Sequence, residues 1–111
     1  MQRGEIRWYT FAAPDKRRPV LILTRDSVIE SLNEIIVTPA TRTIRGLASE
    51  VFLAPEEGMP AACVLNFDHI ALAQRVRIGS LITTFPADRW PEVKNALLTA
   101  CGFEKRRRRR E

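Results

Sequence analysis

The stretch "DKRRPVLILTRD", residues 15–26, sets three cations against a proline and follows them with an unbroken apolar run. Val20 to Leu23 is short and has no polar interruption, the pattern of a strand buried on both faces. Pro19 has no N–H and pushes Arg18 toward an extended backbone, so Arg18 is held more stiffly than a loop residue. An arginine fixed at the mouth of a buried strand suits an anion, and its planar fork suits phosphate. A solvated basic loop explains the same residues, so the rest of the chain has to decide.

Working outward, extended segments dominate. Residues 5–11 alternate loosely and are rich in aromatics, 34–40 form a strand ended by Pro39, and 48–54 form another. Residues 26–33 fit one or two helical turns capped by Asp26. Residues 61–73 read as one long strand or two short ones. Residues 77–85 carry Gly79, which marks a bulge or bend. Only the end is plainly helical: Trp90, Val93, Leu97, Leu98 and Cys101 share one face at i, i+3, i+7, i+8 and i+11. Asp88 is the expected cap, Pro91 sits in the first turn and Gly102 suits the C′ position. Short strands closed by one helix predict an α+β, mainly β protein or small β-barrel.

A length of 111 residues allows one domain, and 45% apolar residues allow a real core. No apolar run approaches the ~20 residues of a membrane span, and the polar start has no signal-peptide core. A cytoplasmic protein with no membrane partner is expected. Cys63 and Cys101 lack metal-ligand spacing, and the single His69 cannot complete a zinc set with them. Both are expected to be buried thiols. Of the net charge of +5, residues 104–111, "EKRRRRRE", hold +4. The folded body is therefore nearly neutral, and the tail reads as a disordered basic appendage beside a domain spanning 1–103.

The chain has no Gly-rich phosphate loop, HExxH or GxSxG, and its carboxylates are scattered. Chemistry is therefore expected to need no metal or cofactor and to rest on arginines, hydroxyls and one carboxylate or histidine. A second basic stretch, "VTPATRTIRG" (37–46), supplies Thr38, Thr41, Arg42, Thr43 and Arg45 at the end of a buried strand. Hydroxyls and guanidinium groups together suit phosphate oxygens. Neighbouring strands would bring both basic strand ends to one rim.

These motifs, in this order, resemble the MazF/PemK/Kid toxins of bacterial toxin–antitoxin modules. "RGEIRWYTF", "RRPVLILTRD", "IIVTPATRT" and "VLNFDHI" are similar to that family's successive segments, and the match runs over residues 3–103. The resemblance implies an SH3-like (CcdB/PemK-type) barrel acting as a homodimer. It implies a metal-independent endoribonuclease that cuts single-stranded mRNA within a short sequence context. It also implies an antitoxin partner with an acidic C-terminal segment. The family's catalytic arginine and threonine fall on Arg18 and Thr41. RNA contacts are expected from Arg17, Arg42, Arg45, Asp68 and His69. The family often has glutamine where this chain has His69, and the arginine that usually follows is Ala71. Alternation puts His69 on one strand face with Phe67. It is then either a packed, hydrogen-bonded residue or a rim residue touching a base or the attacking 2′-OH. Two other readings remain: a gyrase-poisoning toxin of the same fold, and a non-catalytic RNA-binding module stacking bases on Trp8, Tyr9, Phe11 and Phe67.

Overall fold

The computed structural model describes residues 1–12 and 17–103; the Arg-rich tail lies outside the described residues. Seven strands and two helices follow one another: β1 (Glu5–Thr10), β2 (Arg17–Ile22), α1 (Asp26–Ile29), β3 (Glu34–Thr41), β4 (Glu50–Leu53), β5 (Cys63–Asn66), β6 (Ala71–Gln74), β7 (Leu81–Thr84) and α2 (Trp90–Ala100). The strands form one antiparallel sheet in the order β4-β5-β3-β2-β1-β7, with β6 also on β3. It curls into a half-barrel closed off by α2.

The opening stretch behaves as its pattern predicts. Val20, Leu21 and Ile22 are all fully buried. Leu21 joins Ile6, Leu53, Leu65, Phe67 and Val93 in the core beneath α2. Val20 and Ile22 join Tyr9, Ile29, Ile35 and Val37 in a second core on the other face. Two cores explain why the run has no polar member: each face of β2 is an inside face.

Pro39 does not end its strand. β3 pairs with β6 as far as Val37 and with β5 from Ala40 onward. Pro39 falls in the gap between the two ladders, where a missing N–H is tolerated. Residues 61–73 divide into β5 and β6 around a 3-10 turn at Phe67–His69. His69 is therefore on a turn and not on a strand face. Gly79 acts at a bend as expected: its N–H donates to the Trp8 carbonyl at 2.7 Å, and the β1–β7 register shifts between Ile6 and Arg7.

Asp26 does not cap α1. It is the first helical residue, and its Oδ1 accepts from the Arg3 N–H at 2.6 Å. Nor does Asp88 cap α2; a 3-10 turn at Ala87–Arg89 leads into the helix and Arg89 holds the N-cap position. The far end is as predicted, with Gly102 at φ +76° and the Phe103 N–H donating to the Leu98 carbonyl. Cys101, expected inside, is exposed: it is the C-cap residue just past α2, whose last turn meets the core through Leu97 and Ala100; Cys63 is buried.

Side chains close the open seam between β4 and β7. Arg89 donates to the Phe52 carbonyl at 2.8 Å, to Glu57 at 2.6 Å and to Glu92 at 2.7 and 2.8 Å. Thr83 Oγ1 donates to the Glu57 carbonyl at 3.1 Å. The Ala54 amide and then Arg89 hold the Glu57 carboxyl below its ordinary value. The hydrogen bond from Arg89 does the same for Glu92.

Candidate functional site

The β2–β3 register pairs Val20 with Pro39. Carried two residues further, it sets Arg18 opposite Thr41, at the start of one strand and the end of the next. The two basic stretches thus meet at one rim, as the sequence implied. Thr38 is the exception: it is fully buried with its hydroxyl unpartnered and takes no part in the rim.

Two open cavities, of about 420 and 400 Å³, lie on either side of this pair and share Arg18, Thr41 and Thr43. The first is lined by Trp8, Arg17 and Arg42, with Met59, Pro60 and Cys63 as its far wall. The Arg17 guanidinium lies over the Trp8 ring, 4.3 Å from its centroid. Burial, then the charge of Glu57, pushes the Cys63 thiol up, so it stays protonated at neutral pH. The second cavity is lined by Phe11, Arg45, Asn66 and His69.

Among the described residues, no ion pair involves Arg18, Arg42 or Arg45. Within the described residues, nothing neutralises their charge. Thr41 Oγ1 accepts from the Thr43 N–H at 3.2 Å, which orients its hydroxyl and leaves its proton free. His69 is exposed at the rim, with Nδ1 3.3 Å from Asn66 Nδ2. Asp68 stands apart from both cavities; its Oδ2 accepts from Ser49 Oγ at 2.7 Å and pins the turn that carries His69. The four aromatics also divide. Trp8 and Phe11 line the groove, whereas Tyr9 and Phe67 are core.

Glu50 was missed in the sequence. Its Oε1 accepts from the Arg45, Gly46 and Leu47 amides at 3.1, 2.9 and 3.3 Å. That fixes the loop presenting Arg45. The only local signal is a carboxylate a few residues past Gly46, which is too common to stand out. A third, more apolar cavity of about 680 Å³ lies elsewhere, between α2 and the sheet, lined by Leu23, Ile36, Trp90, Val93 and Leu97.

The groove sets guanidinium groups that form no ion pair among the described residues beside hydroxyls, with an aromatic in each half, an arrangement whose chemistry suits a polyanion carrying flat bases. Residues 2–100 match the model of the PemK-like, MazF-like toxin of type II toxin–antitoxin systems, and the chain belongs to that family. It is 41% identical over 103 residues to the probable endoribonuclease MazF2 of Mycobacterium tuberculosis, covering 92% of this chain and 99% of that one. The structure is similar to that of the M. tuberculosis toxin MazF-mt6, with a TM-score of 0.83 at 32% identity over 91% and 99% of the two chains. It is also similar to a chain of the MazE–MazF crystal structure from Deinococcus radiodurans, with a TM-score of 0.77 at 27% identity over 94% and 98%.

Proposed function

We propose that this protein is a toxin endoribonuclease that cuts single-stranded mRNA within a short sequence context, without a metal. The observation that carries the reading is the Arg18–Thr41–Thr43 partition between two base-sized cavities. A scissile phosphate held there leaves one flanking nucleotide on each side. The 2′-OH loses its proton as its oxygen bonds to the adjacent phosphorus, the P–O5′ bond breaks, and the leaving 5′-oxygen takes up a proton, so the products end in a 2′,3′-cyclic phosphate and a 5′-OH. Negative charge grows on the non-bridging oxygens as the phosphorane forms. A fixed guanidinium and a hydroxyl aimed at that charge stabilise it more than the ground state. Arg18 stays protonated, so it serves as charge stabiliser and not as base. Arg17, Arg42 and Arg45 bind the flanking phosphates.

In this reading the protein works in the cytoplasm as a homodimer. The apolar cavity beside α2 supplies surface for the second copy, and the paired grooves lengthen the RNA track. The antitoxin places an acidic segment along the same groove and blocks RNA by occupying its cations. Residues 1–103 are the working domain, and the Arg-rich tail adds sequence-independent attraction to RNA.

The test is incubation with a long RNA in excess EDTA, followed by mapping of the new ends. Cleavage leaving 5′-OH ends, lost in Arg18→Ala, is the expected result. Tight binding of RNA with no cutting would overturn it in favour of a binding module.

A further inference from the structure

The geometry points to His69 as a reader of the base beside the scissile phosphate, donating Nε2–H to a keto base, guanine or uracil. This rests on the ribonuclease reading above and adds a chemical specificity to one of its two cavities.

The argument starts from Asn66, which is buried at the end of β5. Its Oδ1 accepts the Asp68 N–H at 3.0 Å. A backbone N–H can only donate, so the amide orientation is fixed: oxygen toward Asp68, nitrogen toward His69. Asn66 Nδ2 carries only hydrogens and lies 3.3 Å from His69 Nδ1. Nδ1 must therefore present its lone pair, and the proton of the neutral ring sits on Nε2. A general base would need an unprotonated nitrogen facing the groove, and here the only free lone pair is taken by Asn66. His69 accordingly presents a donor.

The charged groups of the second cavity have the same polarity: among the described residues they are Arg18 and Arg45, and no described carboxylate lines it. Asp68, the carboxylate next in the chain, is engaged by Ser49. Phe11 supplies an apolar wall. A donor placed at the purine 6 or pyrimidine 4 position matches the keto oxygen of guanine or uracil and mismatches the amino group that adenine or cytosine carries there. In the first cavity the Arg17 guanidinium covers the Trp8 ring, so the keto preference argued here belongs to the second cavity alone.

Two measurements test this. In ¹⁵N NMR of the native protein at about pH 8, above the ordinary histidine range, the chain's single histidine should show a pyridine-like Nδ1 and a pyrrole-like Nε2. The reverse pattern would overturn the assignment, with no reference to RNA. Ends mapped on a random-sequence RNA pool should show a keto preference at one flanking position. His69→Gln, whose amide nitrogen places a donor near Nε2, should keep that preference, and His69→Leu should lower it about tenfold. Wild-type cleavage with the same preference in His69→Leu would overturn this inference alone. A wild type that cuts no RNA would instead sink the ribonuclease reading beneath it.

Discussion

Arg18 and Arg89 are both half-buried arginines at strand or helix ends, yet their surroundings are opposite. Arg89 spends its donors on Glu57, Glu92 and the Phe52 carbonyl, and its pKa is raised first by its hydrogen bond to Glu92. Arg18 faces a groove, and no described carboxylate pairs with it. The same side chain fastens the seam in one place and, among the described residues, keeps its charge unpaired in the other. The lesson is that unspent hydrogen-bonding capacity, more than residue type, marks the site.

The sharpest way to break this contrast is to exchange effects on rate and stability. Arg18→Ala should lower cleavage by roughly 10²–10³-fold with an unchanged thermal midpoint, since a rim side chain leaves no core cavity. Thr41→Ala should act in the same direction, and Arg18→Lys should fall well below wild type because a point charge cannot replace the fork. A large stability loss in Arg18→Ala would erase the distinction from Arg89.

The seam should respond in the other quantity. Gly58 has φ +97°, and a Cβ there would lie 2.5 Å from Thr83 Oγ1. Gly58→Ala should cost about 2 kcal/mol in denaturant unfolding, from left-handed strain together with the loss of the Thr83 bond. Arg89→Met should cost about 1–2 kcal/mol, because Glu57 and the Phe52 carbonyl lose their partner at a partly hydrated site. Cleavage at saturating RNA should change far less than in Arg18→Ala.

The smallest effect is on pH dependence. Glu57 and Glu92 have folded pKa values below their ordinary ones. Their contribution is present above the unfolded value of about 4.3 and fades as pH falls through the folded values. Between about pH 5 and 3, wild type should lose stability more steeply than Arg89→Met. Parallel acid limbs in the two proteins would show that the ion pairs contribute nothing.

The contrast also marks what the sequence made legible. Arg18, Pro19 and the run to Ile22 were readable because proline stiffness and unbroken apolarity are local properties. The body of α2 was readable because its spacing is periodic. His69 was misplaced on a strand face, since apolar–polar alternation over three residues fits a 3-10 turn equally well. Cys101 continues the same helical period, but α2 ends at Ala100, and Leu97 and Ala100 are the residues of its last turn that meet the core. The Arg89–Glu57 tie and the Glu50 cradle were invisible for another reason. With 13 acidic and 18 basic side chains, the sequence does not say which pairs the fold brings together.

The Glu57–Arg89 tie spans 32 residues of chain. A ribosome adding about 5–20 residues per second takes about 2–6 s to cover that distance. The far wall of the groove, at Met59 and Pro60, is thus synthesised seconds before the guanidinium that fastens it. During translation β2 and β3 can pair and set Arg18 against Thr41 while the opposite wall is still loose. The rim that pairs Arg18 with Thr41 is thus complete in the chain before the turn that closes the seam behind it has been made.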